Sequence, residues 1–379
     1  MELHFDYIIA GAGCAGLSLA YKMSIDPFFD DKKILLIDKD DKNKQDRTWC
    51  FWEDTNSVFE EIVSSSWKNI AFKSTNFAKT ESIHPYVYKM IRSENFYAFC
   101  LGKINRKKNI TALKGDIAKM VSNGTETYIE VNAQKIYAAK IFSSILLEEP
   151  NLKPTDIYLL QHFTGWVIET KQAQFNADVA TIMDFSIAQT HGTSFVYVLP
   201  MSTQKALVEY TLFTEEVLDE TQYQDALKNY IANHLHITNY NITEREFGVI
   251  PMTNYQFKRQ DNHIHFIGTA GGATKASSGY TFTFIQQQTN QIITQIKNNA
   301  PIDTAITPAK FTWYDAILLH LLATKMLGGK EIFTRLFQKN KFVFILQFLN
   351  NSSTLPQEIN MMRTLQIGKF IKAAWQRLF

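Results

Sequence analysis

The run Phe5-Asp-Tyr-Ile-Ile-Ala-Gly11-Ala-Gly13-Cys-Ala-Gly16-Leu-Ser-Leu-Ala-Tyr-Lys-Met23 decides the fold. An apolar strand passes into a glycine turn, and the turn opens a helix. Gly11 turns the chain, Gly13 lets the backbone approach phosphate, and Gly16 lets helix and strand pack closely. The helix amides then face an anion with the positive end of the dipole behind them. A second apolar run, Lys33-Ile-Leu-Leu-Ile-Asp38, puts a carboxylate 22 residues after Gly16, where the ribose hydroxyls of a dinucleotide would lie. The expectation is an α/β chain with a Rossmann-type domain that binds FAD or NAD.

At 379 residues the chain exceeds one typical core, so two intimately packed domains are expected. Cys14, Cys50 and Cys100 have no disulfide-framework spacing, which fits a reducing compartment. With the first strand beginning within a few residues of Met1 no signal peptide is expected, and no apolar run reaches the ~18 residues needed to span a bilayer. Charge is unevenly spread. Residues 321–379 hold nine Lys or Arg against Glu331 and Glu358, giving +7, which leaves −5 elsewhere for a total of +2. A basic, aromatic-rich end suits an anionic lipid surface or a solvated helical face. Neither a nucleic-acid partner nor a metal site is expected.

Beyond the first βαβ unit, Asp46-Arg-Thr-Trp-Cys-Phe-Trp52 reads as an aromatic loop running close to the cofactor. Strands follow near 108–115 and 136–146, with a hairpin turn at Asn123-Gly124 between them. From about 156 to 214 the alternation lengthens over Gln161–Thr170, Asp178–Phe185, Ser194–Leu199 and Lys205–Phe213, the pattern of a separate antiparallel sheet. Residues 221–234 form an amphipathic helix, and Ile264–Gly268 returns the chain to the nucleotide domain. The expected division is 1–155 with 246–300 for cofactor, 156–245 for substrate, and a helical 301–379. The last helix gathers Phe370, Ile371, Ala374, Trp375 and Leu378 in one arc, opposite Lys369, Lys372 and Gln376.

The second glycine cluster, His265-Phe-Ile-Gly-Thr-Ala-Gly271-Gly272 followed by Gly279-Tyr-Thr-Phe282, favours FAD over NAD. It stands where flavoproteins of the aromatic-hydroxylase fold bring a late strand back to the pyrophosphate and flavin. Together with Asp46-Arg-Thr-Trp49, Met183-Asp-Phe185, Phe195-Val-Tyr-Val-Leu-Pro200, Leu207-Val-Glu-Tyr-Thr211, Gly248-Val-Ile-Pro-Met252 and Trp313-Tyr-Asp315, in this order, the chain resembles the FAD-dependent lycopene β-cyclases of bacteria and plants.

That resemblance implies the aromatic-hydroxylase flavoprotein fold, and ring closure at the ends of lycopene and other acyclic carotenoids. The reaction has no net redox change yet needs reduced FAD, with NADPH or NADH as reductant. It also implies a cytoplasmic protein held peripherally at the inner face of the cell membrane. Glu209 matches the family's functional glutamate, and on an alternating strand it shares a face with Leu207, Thr211 and Phe213, which would raise its pKa. Gly11, Gly13, Gly16, Asp38, Arg47, Arg92, Gly271 and Gly272 are expected at the cofactor. Trp49, Trp166, Phe185, Tyr197, Tyr280 and Phe282 are expected to line the substrate site. Where hydroxylases place Gly-Asp the chain has Gly268-Thr, so no carboxylate is expected at the ribitol. A flavin monooxygenase or a reductase of an isoprenoid lipid is the rival reading.

Overall fold

The computed structural model describes residues 3–378, with side chains to Arg377, so the Leu378 side chain expected in the arc of the last helix lies outside the described residues. Strand Leu3–Ala10 is the centre of an eight-stranded sheet, parallel on one side to Ile34–Asp38 and on the other to Gln134–Ser143. Its side chains alternate into two cores: Ile9 packs with helices Cys14–Ile25, Ser93–Ile104 and Phe282–Lys297, while Ile8 and Ala10 pack with Ile129, Val131 and Ile136 of the small meander. The late strand Ile264–Phe266 adds beside Gln134–Ser143 in parallel, which delivers Gly268–Gly271 as a short 3₁₀ turn beside the first helix. The late strand thus returns the chain to the first sheet.

A seven-stranded sheet forms the second layer. Tyr158–Glu169 lies between Asn241–Thr253 and Lys205–Thr214, followed by Thr193–Pro200 and Val179–Phe185, all antiparallel. Its far edge comes from earlier in the chain, Asn69–Ser74 and Phe77–Ser82. One face, carrying Val208, Tyr210 and Leu212, buries itself on helix Glu220–Asn233. The other carries Leu207, Thr211 and Phe213 towards the nucleotide domain and the C-terminal helices.

One expectation is corrected. The aromatic stretch 46–52 is not a loop: from Thr48 it is a strand, Thr48–Glu53, paired with Val87–Arg92 in a third, three-stranded sheet. Trp-Cys-Phe-Trp has high strand propensity, and both Phe51 and Trp52 are buried. The apolar arc expected on the last helix, Ile367–Leu378, is divided between packing on the protein and exposure. Ala373 is fully buried and Phe370 and Ala374 partly so, whereas Ile371 and Trp375 are 63% and 64% exposed.

Candidate active site

The glycine turn has the shape a dinucleotide needs. Gly11 has φ +96°, and a Cβ there would stand 2.3 Å from Ser144 Oγ; one on Gly16 would stand 1.8 Å from the Gly11 carbonyl oxygen. Around Gly13 there is open space, and no side chain caps the helix that follows, so its first amides are left for an anion. Asp38 reaches the turn, where its Oδ2 accepts the Ala12 N–H at 2.6 Å. Gly268, at φ +61°, brings the 3₁₀ turn so close that its Cβ would lie 2.7 Å from that of Ala15. Gly271 and Gly272 face a small cleft with Pro251, Tyr255 and Phe257. These residues form an open backbone cradle between two glycine clusters and fit the pyrophosphate of FAD.

Beside this cradle, at the seam with the seven-stranded sheet, lies a cavity of about 380 Å³. Arg47, Thr48 and Trp49 form one wall, Ser278 to Phe282 another, and Gln161, Phe163, Tyr197, Leu207 and Glu209 the sheet floor. Along Lys205–Thr214, every residue from Ala206 to Phe213 is buried except Glu209, whose partial exposure is therefore to this cavity. Thr211 Oγ1 donates to Glu209 Oε1 at 2.9 Å.

A second carboxyl meets it. Glu209 and Glu246 are both in register with Gly165 of the intervening strand, one on each side. Because Gly165 has no Cβ, the two side chains close over it into contact: a Cβ there would come within 2.9 Å of Leu207 and 3.0 Å of Glu246 Cγ. Thr48 Oγ1 donates to Glu246 Oε2 at 2.7 Å, whereas Glu246 Oε1 is buried without an ordinary donor, a lack that a protonated Glu209 would relieve. Burial, and then the neighbouring Glu246 charge, push the Glu209 carboxyl well above the usual carboxylate range. Burial also raises Glu246, but Thr48, the contact with Glu209 and the Arg92 guanidinium favour its charged form. A single proton shared by the pair therefore rests on Glu209.

Aromatic faces surround the acid. Tyr197 is its register neighbour on the next strand, the Phe163 ring fills the space left by Gly248, and Tyr280 stands edge-on to Trp52 at 4.7 Å. Phe282 stacks on Phe51 at 4.4 Å. Of the expected lining residues, Trp49, Tyr197, Tyr280 and Phe282 are at this cavity. Trp166 is not: as the neighbour of Gly165 it points to the opposite face, buried with Val208 and Tyr223 beneath the Arg245 guanidinium at 5.1 Å. Phe185 is also absent, fully buried against Phe72, Phe195 and Phe333. Arg47 lies at the rim and donates to the Asp46 carbonyl at 2.8 Å. The Arg92 guanidinium is engaged by the Glu244 carboxylate. The sequence reading did not include Glu246, Thr48, Gln161 or Gly165; an isolated glycine inside an apolar strand, which marks close approach of neighbours, was the available signal.

The family model for lycopene cyclase protein matches residues 6–374. The chain belongs to the lycopene cyclase family. No curated protein sequence is significantly similar to it. Among solved structures, the chain is similar to a geranylgeranyl bacteriochlorophyll reductase-like protein from Thermoplasma acidophilum, with a TM-score of 0.66 at 10% identity over 100% of each chain. It is similar to a flavoprotein/dehydrogenase from Cytophaga hutchinsonii, TM-score 0.64 at 10% identity, covering 98% of this chain and 99% of that one. It also resembles p-nitrophenol 4-monooxygenase from Pseudomonas putida, TM-score 0.63 at 10% identity, with the same coverage. The fold of this lycopene cyclase family member is thus the aromatic-hydroxylase flavoprotein fold expected from its two glycine clusters.

Proposed function

We propose that the chain is a lycopene β-cyclase that binds FAD, is active with the flavin reduced by NADPH or NADH, and closes β-rings at the ends of acyclic carotenoids. The observation that carries this reading is the Glu209–Glu246 pair, enclosed among aromatic faces at the seam where the flavoprotein fold presents its cofactor cradle. FAD would be held by Gly11, Gly13, Gly16, Asp38, Gly271 and Gly272. When reduced, it supplies electron density beside a developing positive charge.

The chain's own residues carry the proton. Glu209, kept protonated by burial and by the charge of Glu246, gives its proton to the terminal alkene of the polyene. The neighbouring alkene attacks the resulting tertiary cation and forms the ring bond, and the ring cation returns a proton to the Glu209 carboxylate. No electron is gained or lost overall. A carboxyl is a weak acid for an alkene, so the transition state depends on aromatic faces such as Tyr197, Phe163 and Tyr280, each worth ~2 kcal/mol to a cation when water is excluded. Exclusion of water also protects the cation from capture as an alcohol.

Among the described residues no helix is long and apolar enough to cross a membrane. The proposed membrane contact is peripheral, through the exposed Ile371 and Trp375 of the last helix, which also carries the exposed Lys369 and Lys372. Expression in a lycopene-accumulating bacterium tests the function. β-Carotene, of the same mass as lycopene, is the expected product; an oxygenated or reduced product would assign the chain to the oxidoreductases instead.

A further inference from the structure

The helices after the second glycine cluster enclose another cavity, of about 320 Å³, walled by Ile317, Leu318, Phe333, Leu336, Phe348 and Met362. Its few polar neighbours are already engaged within the protein. Ser277 Oγ donates to Asp315 Oδ1 at 2.7 Å, Lys275 Nζ lies 2.8 Å from the same oxygen, and Tyr314 donates to Glu358 at 3.1 Å. Apart from the exposed Arg363 and Trp313, the remaining wall is almost wholly apolar side chain. A ligand with polar groups would lose their hydration there without replacement, so the space suits a hydrocarbon.

The two ends of this cavity indicate which hydrocarbon. At its inner end is Ser277, in the same turn whose Ser278 to Phe282 wall the Glu209 cavity. Here too Phe333 stacks on Phe185 at 5.7 Å, and Phe185 packs on Phe195, the neighbour of Tyr197. At its outer end the lining residues Ile359, Ile367 and Ile371 are themselves exposed, the last two on the helix that carries the exposed Trp375. On the cyclase reading one end of a long chain reacts in the space of about 380 Å³ beside Glu209, and the remainder of that chain requires a second apolar space.

We propose that this helical cavity receives the part of the linear polyene that is not undergoing ring closure, entering past Ile367 and Ile371; the assignment rests on the cyclase reading above. The apolar wall solvates the idle half of the chain while its reacting end reaches Glu209.

The test uses the purified flavin-loaded protein and cis-parinaric acid, a tetraene fatty acid that fluoresces in apolar sites. Ala374→Trp, and independently Met362→Phe, fill the cavity from two of its helices. Each is expected to weaken parinarate binding on the order of tenfold and to raise KM for lycopene similarly, with kcat and flavin content unchanged. Glu209→Gln is expected to bind parinarate as wild type does. Unaltered parinarate affinity in both filled variants overturns the cavity assignment, whatever the protein does to lycopene. Weakened parinarate binding in the filled variants of a protein whose wild type leaves lycopene untouched overturns the cyclase reading and with it the polyene as occupant.

Discussion

Glu209 and Glu246 sit on different strands, and both lie directly opposite Gly165, the residue whose missing side chain lets their carboxyls meet. The sheet register thus builds an acid and its charged partner into one buried site. The partner has a defined effect. A negative charge beside Glu209 makes its proton harder to lose, so activity should persist until the pH rises through the elevated pKa of the pair and then fall.

Glu246→Gln removes that charge and keeps the shape. The Glu209 pKa should fall while remaining above its ordinary value because of burial, and the alkaline limb of the kcat/KM profile should move down by about one pH unit or more. A rate loss equal at all pH values would mean that Glu246 only supports the fold.

Gly165→Ala tests the contact from its other side. The new Cβ meets side chains rather than backbone, so the sheet can yield at a stability cost of about 1–2 kcal/mol. Displacing either carboxyl should lower ring formation about tenfold or more, since transition-state contacts depend on placement within about 1 Å. Melting temperature, flavin content and turnover measured together separate the two effects.

Gly16→Ala should behave differently, because its Cβ would press on the Gly11 backbone carbonyl at 1.8 Å with no flexible atom to move. The expected outcome is loss of flavin binding, read as a colourless protein or as insoluble protein.

Much of the fold is legible in the sequence because its signals are local. The first glycine fingerprint sits between its strand and helix within about twenty residues, and the alternation of 156–214 announces the seven-stranded sheet. Glu209 is legible from strand periodicity together with the family resemblance. Glu246 is not, since Glu244 and Glu246 alternate like the outward residues of an edge strand, and their strand is an edge of the sheet. What buries Glu246 is pairing with Gly165, about eighty residues away, and register at that distance leaves no local trace. Trp166 and Phe185 were expected to line the site through the family resemblance, but strand phase and packing place them away from this cavity. For the arc of the last helix, amphipathicity shows that one side is apolar, not which part of it a neighbour covers.

Lys275 and Asp315 form a buried ion pair, with side chains 0% and 4% exposed, that fastens the turn preceding Gly279 to helix Ala309–Ala323. Lys275→Met leaves the Asp315 charge buried and should cost about 3–5 kcal/mol, read from the urea midpoint. The double variant with Asp315→Leu should recover much of that loss.

The most direct measurement of the central claim is made on purified protein loaded with FAD, reduced, and given lycopene, comparing wild type with Glu209→Gln by mass spectrometry and pigment analysis. The account predicts a β-ringed product of unchanged mass from wild type, and none from Glu209→Gln although its flavin spectrum is intact. A product of altered mass, or equal ring formation by the two proteins, would contradict it.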